Sequence, residues 1–494
     1  MQELSLISRA RNHAGRIAVR ADGREHTYEE LLEASSAVAA SLLDGAADLA
    51  EARVAFLAPA GFSFLAIQWG IWRAGGIAVP LSISATQPEL EYALRDSEAA
   101  LAIAIPKYAD RVSSNSNIRL IVDVEIDPTA ACELPEIDPA RRAMILYTSG
   151  TTSTPKGVVS THAAIESQIR SLVEAWEWSA DDRIPLFLPM HHVHGIINIA
   201  CCALWSGAVI EAFPKFDMGK ILQRVAAGAY TVFMAVPTIY VKLIETLESG
   251  GFDSESVCRE FANMRLMVSG SAALPASVHE KWSALTGQNL LERYGMTETA
   301  MIISNPLHGE RRAGAVGQPL PSVEVRLKSE TGEIIMGEGE SGEIQVRGPV
   351  VFREYWDRPQ ATAESFDEGW FRTGDVAVME RGYYRIMGRL SVDIIKSGGY
   401  KLSALEIEAA LLDHPSIREC AVVGVKDDTW GEMVAVAAVL MEGLGGLEIG
   451  ELQAWCKDRL SHYKMPRKLL VVMSLPRNAM GKVTKKEVAA TLEA

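Results

Sequence analysis

The chain has 494 residues, 48% of them hydrophobic and 22% charged, which is enough for two or more cores and excludes a disordered or fibrous protein. The formal net charge of −15 argues against nucleic acid or an anionic membrane surface as a partner, although a local cluster of donors can still hold an anionic nucleotide. Six cysteines, at 132, 201, 202, 258, 420 and 456, form no Cys-x-x-Cys pair; they exclude a disulfide framework, argue against structural zinc, and point to free thiols in a reducing cytoplasm.

The first residues, MQELSLISRARNHAGR, lack an apolar signal core. The longest apolar candidate for a membrane segment, Ile196 to Leu204, falls far short of the ~20 residues that span a bilayer, so no membrane insertion is expected. Thr27-Tyr-Glu-Glu30 reads as a capping box opening a helix through Leu31, Leu32, Ala39, Leu42 and Leu43. Short β-branched or apolar runs at Val54–Leu57, Arg119–Val124, Thr231–Val236 and Arg265–Val268, separated by helix-length segments, predict α/β units with parallel sheet. After about residue 312 the texture changes. Val323–Lys328, Gly342–Arg347 and Tyr383–Met387 read as strands of a β-rich subdomain with glycine turns. Gly388-Arg389-Leu390 begins a new unit. There Ser403-Ala-Leu-Glu406 predicts a second capping box, Ala421–Val425 and Val434–Leu440 predict strands, and Glu451–Leu460 predicts a helix. The expected organisation is a large domain over 1–389 and a small α+β domain over 390–494.

The strongest local signal is Tyr147-Thr148-Ser149-Gly150-Thr151-Thr152-Ser153-Thr154-Pro155-Lys156-Gly157. Loop amides and small hydroxyls can wrap phosphate oxygens, and the lysine adds a point charge. The Walker spacing is absent. From composition alone a solvated Ser/Thr turn is an equal reading.

This loop resembles the phosphate-binding signature of the adenylate-forming superfamily, which includes acyl-CoA synthetases, adenylation domains of peptide synthetases and beetle luciferases. Serine at 153 departs from the glycine usual there. Further motifs resemble the family in order along the chain. Leu188-Pro-Met-His-His192-Val193-His194-Gly resembles the acyl-pocket segment; its three histidines read as pocket wall, with His192 among the catalytic candidates, rather than as zinc ligands. Val268-Ser-Gly270-Ser271-Ala272 resembles the turn that embraces adenine. In Arg293-Tyr294-Gly295-Met-Thr297-Glu298 the resemblance implies that Tyr294 stacks on adenine, Thr297 bonds the α-phosphate and Glu298 holds Mg²⁺. Thr373-Gly374-Asp375 resembles the ribose-binding segment, and Arg389 the junction residue that reaches ribose or phosphates. The acid that usually follows this arginine stands one residue late, leaving the pivot open among Ser391 to Asp393. Lys396-Ser-Gly398-Gly399 resembles the border of the coenzyme A tunnel. Gly481-Lys482 resembles the loop carrying the adenylation lysine.

The resemblance implies an α/β fold, with a large AMP-binding domain and a small mobile domain, and an enzyme using ATP, Mg²⁺ and coenzyme A. Within the superfamily, the histidine segment, Met-Arg-Leu-Met-Val-Ser-Gly-Ser-Ala and Leu-Glu-Arg-Tyr-Gly-Met-Thr-Glu-Thr resemble malonyl-CoA synthetases. Arg293 and His194 would then hold a second carboxylate, because a guanidinium fork matches carboxylate oxygens. Val193 and Met301 would flank the C2 carbon; a methyl group discriminates by only ~1–3 kcal/mol, so methylmalonate is a secondary substrate candidate. The residue-level alternatives are a salt bridge from Arg293 to Glu292 or Glu298, another short or medium-chain acid, and a stand-alone enzyme loading a carrier protein. Acylation of Lys482 would remove its charge and offers a route for regulation by lysine-modifying partners.

Overall fold

Short apolar strands buried on both faces form the middle of a sheet of seven described strands. In a computed structural model, which describes residues 3–493 except 114–117, 123–125, 128, 131, 149–154, 251–252, 399, 428, 444–445 and 478–482, Arg53–Leu57 lies between Ile77–Pro80 and Leu101–Ala104, parallel to both. Arg142–Thr148 and Lys156–Thr161 close the other side as an antiparallel pair. The phosphate-loop motif connects those two strands. Helix Phe62–Arg73 packs on helix Tyr28–Leu43, and Gly70 permits the close approach, since a Cβ there would lie 2.4 Å from Val38 Cγ1. The Thr27 capping box forms as expected, with Thr27 and Glu30 each accepting the other's backbone N–H.

A second sheet runs Val232–Ala235, Leu266–Ser269 and Leu291–Met296 in parallel, then turns antiparallel into Ala300–Ser304 and Gln318–Pro319. The hairpin between Leu291–Met296 and Ala300–Ser304 needs Gly295, because a Cβ there would meet Ala300 O at 1.9 Å. The β-rich segment forms a six-stranded sheet whose strands Trp370–Glu380 and Tyr383–Arg389 pair antiparallel.

The C-terminal segment has its own five-stranded sheet, including Ile417–Asp427 and Gly431–Leu440, both longer than the sequence reading. One apolar cluster around Ile407, Val422 and Leu452 and another around Val423, Leu475 and Val488 share no member with the N-terminal clusters. The expected helix at 451–460 runs Ile449–Cys456 instead. Ser403 accepts the Glu406 N–H, yet the second half of the expected box is replaced, because the Glu406 carboxylate bonds Lys464. Among the described residues no helix is long and apolar enough to cross a membrane.

The hairpin is tied to the segment after it from the buried side. Asn305 Nδ2 donates to Glu292 O and Ala315 O, and the Gly314 N–H donates to Glu292 Oε1 at 2.9 Å. Burial pushes the Glu292 carboxyl from 4.5 up to about 8, so it folds protonated at neutral pH. A raised folded-state pKa stabilises the fold fully below the unfolded value, and that contribution is lost as pH rises towards the folded value. The thermal midpoint should therefore fall by roughly 5 °C between pH 5 and pH 8, and Glu292→Gln, which keeps the acceptor, should flatten that fall in a calorimetric pH series.

Candidate active site

The sheet Leu266–Ser269 and Leu291–Met296 brings two sequence motifs side by side, because these strands are parallel neighbours. Past the end of the first, Gly270 leaves room for the neighbouring side chain: a Cβ there would lie 2.4 Å from the Arg293 Cζ. Ser271 adopts φ of 70°, a left-handed conformation that non-glycine residues rarely take. Its hydroxyl lies 3.2 Å from His194 Nδ1 and 3.4 Å from Arg293 Nη2. Gly270 and Ser271 thus border Arg293 and His194, the two residues expected to hold the acyl substrate.

Arg293 is 5% exposed and its Nε has no partner. Burial alone draws its pKa down to about 9, with no nearby carboxylate to offset it. The alternative partners are engaged elsewhere: Glu292 Oε1 accepts from Gly314, and Glu298 Oε1 accepts from the Tyr355 hydroxyl at 2.9 Å. His194 Nε2 is buried without a partner, and burial, reinforced by Arg293, pushes its pKa well below the usual histidine range. The ring is therefore neutral beside the guanidinium. His194 opens a π-helix, His194–Cys201, an arrangement found often at functional sites. His192 lies two residues earlier, its ring 4.2 Å from that of His191. Val193 and Thr297 line one narrow recess, while Met301 sits on the strand opposite Gly295.

A second group gathers on the other side of the hairpin. The Tyr294 hydroxyl donates to Asp375 Oδ2 at 2.5 Å, and Arg389 Nε meets Asp375 Oδ1 at 3.1 Å. Arg389 also donates to Thr373 O. Burial raises the Asp375 pKa, with Arg389 opposing it. Glu298 is 6% exposed and burial raises its pKa too, while Tyr355 and the cations Arg389 and Lys156 oppose that rise. Lys156 stands over the Tyr355 ring, 4.7 Å from its centre. The sequence reading missed Tyr355: an aromatic in Glu-Tyr-Trp carries no motif, and only the pairing of Glu354–Tyr355 with Lys156–Thr161 delivers it.

Of the phosphate loop, Thr148 and Lys156 are described, whereas Ser149, Gly150, Thr151 and Thr152 lie outside the described residues. The flanks are held by one carboxylate and a hydroxyl. Asp96 accepts from the Tyr147 hydroxyl at 3.0 Å and from Arg358 at 2.7 Å, and the Tyr92 hydroxyl donates to Pro155 O at 2.6 Å. Ala272 follows the Ser271 turn and is exposed.

At the domain junction Asp393 is the anchored acid: its Oδ2 accepts the Arg389 N–H at 2.9 Å and its Oδ1 pairs with Lys485 at 2.6 Å. Lys485 also pairs with Glu408 at 2.7 Å. Lys396 and Lys401 reach across to Glu330 at 3.0 and 3.4 Å, along a cleft of about 600 Å³. Gly398 has φ of 57° and donates its N–H to Trp430 O, and a Cβ there would lie 2.9 Å from the Trp430 ring. Gly399 and Lys482 lie outside the described residues.

The chain matches known proteins over nearly its whole length. The model for AMP-binding enzymes matches residues 6–356, and the model for the AMP-binding enzyme C-terminal domain matches residues 406–482. The chain is 43% identical over 526 residues to the mouse malonate–CoA ligase ACSF3, mitochondrial, covering 98% of this chain and 90% of that protein. It is 40% identical to a malonate–CoA ligase of Arabidopsis thaliana over 99% of this chain and 88% of that one. The crystal structure of ATP-bound MatB from Rhodopseudomonas palustris superposes with a TM-score of 0.88 at 33% identity, covering 100% of this chain and 99% of that one. A malonyl-CoA ligase ternary product complex with methylmalonyl-CoA and AMP gives 0.69 at 38% identity, covering 94% of this chain and 97% of that one. The extent of these matches, on a fold with a large N-terminal and a small C-terminal domain, establishes that the chain belongs to the AMP-binding enzyme family.

Proposed function

We propose that this chain ligates malonate to coenzyme A through a malonyl-adenylate, consuming ATP and releasing AMP and pyrophosphate. The observation that carries this reading is the Arg293 guanidinium, buried with no carboxylate beside it among the described residues. An unpaired buried cation is costly, and a dicarboxylic acid supplies its missing counter-ion. A fatty or aryl monocarboxylate would leave it unpaired. Neutral His194 contributes a hydrogen-bonding ring that is held by Ser271. Val193 and Met301 bound the space for a C2 substituent, which leaves methylmalonate a secondary substrate.

In adenylation, a carboxylate oxygen attacks the α-phosphorus of ATP, a P–O bond forms, and the bond to pyrophosphate breaks. Charge gathers on phosphoryl oxygens. Thr148–Lys156 and Lys482 supply donors and positive charge there, and Thr297 bonds the α-phosphate. Glu298 fits a hard cation: it is a buried carboxylate, held by Tyr355 on one oxygen and facing Lys156. Mg²⁺ at that carboxylate would neutralise phosphate charge. Asp375 and Arg389 take the ribose, with Tyr294 against the base. Gly270 to Ala272 border both acyl and nucleotide space.

Thioester formation needs the coenzyme A thiol to reach the same carbonyl. We place the pivot at Asp393 and the domains at 1–389 and 390–494, since Asp393 alone of the three candidates is held from both sides. Lys396, Gly398 and Gly399 would border the pantetheine path after rotation. The TM-scores support a mobile second domain: the more identical product complex superposes less well than the ATP-bound structure. Acylation of Lys482 would then silence adenylation. The cysteines fit a reducing compartment such as the cytoplasm, although several relatives are named mitochondrial.

AMP formation with ATP, Mg²⁺ and coenzyme A should favour malonate over acetate, succinate, octanoate and benzoate. Arg293→Ala should lower kcat/KM for malonate by roughly a hundredfold or more, in line with loss of a charge-assisted bidentate contact. A monocarboxylate preference untouched by that substitution would overturn the malonate assignment. Separately, Lys482→Ala should abolish malonate-dependent pyrophosphate exchange into ATP while still converting supplied malonyl-adenylate and coenzyme A to malonyl-CoA; equal loss of both half-reactions would refute that division of labour.

A further inference from the structure

Helix His162–Ala175 presents Gln168, a fully buried primary amide, to the back of the acyl side of the site. Such an amide has one acceptor oxygen and two N–H donors. Its Oε1 accepts the Met301 N–H at 2.5 Å, which holds the strand opposite Gly295. That bond also fixes the orientation of the amide, because the flipped group would set an N–H₂ against an N–H. Its Nε2 is left buried with no partner among the described residues. Buried donors are ordinarily satisfied, so this one calls for a ligand.

Gln168 lines the narrow recess that also contains Val193, Ile197, Thr297, Ala300 and Val350. The recess has room for about one water-sized group, roughly 10 Å³, which suits a single oxygen rather than an alkyl chain. Arg293 is not among its walls and lies instead against Gly270 and Ser271. The two ends of a short dicarboxylic acid would therefore meet different chemistry: a cation at one end, a neutral amide beside Thr297 at the other.

We propose that Gln168 is a substrate-binding residue whose Nε2 donates to one oxygen of the carboxylate that becomes adenylated. This rests on the malonate-ligase reading for the identity of the acid. A neutral donor orients that carboxylate through one oxygen without pairing off its charge, so the other oxygen keeps its nucleophilicity towards the α-phosphorus. Gln168 transfers no proton and forms no bond; it holds the group whose oxygen attacks. The same side chain, through Met301, sets the wall of the pocket that the substrate occupies.

The test is Gln168→Glu, which keeps an acceptor for the Met301 N–H and removes the amide donor. At pH 9 its kcat/KM for malonate should fall at least thirtyfold, chiefly through the malonate KM, while the ATP KM and thermal midpoint stay near wild type. Towards pH 6 a protonated carboxyl can donate again, so activity relative to wild type should partly recover; Gln168→Leu should show the loss with no such recovery. A Gln168→Leu enzyme within threefold of wild type would overturn the proposal, because leucine donates at no pH. So would equal rises in both KM values together with a lowered midpoint, which would mark a structural role only. Wild-type enzyme that ignores malonate but turns over another acid would overturn the malonate reading instead. The Gln168 comparison would then be run with that acid, since the adenylated carboxylate is common to all.

Discussion

A guanidinium sealed from water without an acid beside it is the constraint around which the acyl side of this molecule is arranged. Arg293 emerges from a strand buried in a parallel sheet, and its neighbours yield space to it rather than neutralise it. Gly270 has no side chain, Ser271 takes a strained left-handed turn and offers only a long hydroxyl contact, and His194 is kept neutral. A stable protein tolerates such a group when a ligand completes it. On the proposed reading the fold carries the cost of desolvating the cation, and the binding energy of a second carboxylate becomes specific.

The nucleotide side follows the opposite logic. Asp375 and Glu298 are also buried, but each is already tied down, Asp375 by Tyr294 and Arg389 and Glu298 by Tyr355. These bonds hold carboxylates that burial alone would push towards the neutral acid, and they fix the direction in which each faces. The same hairpin presents both groups. Arg293 and Tyr294 alternate across its first strand, and Thr297 and Glu298 stand at its turn, so the groups proposed to take acid and nucleotide stand within a few residues of one hairpin.

Rigidity there contrasts with the domain junction. The C-terminal domain has a core of its own and meets the rest partly through charged contacts, Lys396 and Lys401 with Glu330, with the Asp393–Lys485–Glu408 cluster on its own side of the junction. Partly exposed ion pairs of the first kind contribute little and are readily exchanged. They suit an interface that the proposed rotation would separate, while Asp393, the proposed pivot, is paired with Lys485 at the start of helix Lys485–Glu493.

Ordered motifs, local caps and apolar periodicity are written in neighbouring residues, and the sequence by itself therefore determined the α/β class, the Thr27 box, the second domain and the family. It also marked Arg293, because an arginine beside the expected acyl pocket suits a second carboxylate. The tertiary structure alone decided what Arg293 lacks, since the absence of a carboxylate depends on where Glu292 and Glu298 turn. It likewise tied Asp393 to both Arg389 and Lys485, brought Tyr355 to Glu298 by pairing a distant edge strand, and exposed the idle donor of Gln168. Those facts belong to contacts between residues far apart in the chain, and no local pattern of residue types encodes which polar atoms a fold leaves unpaired.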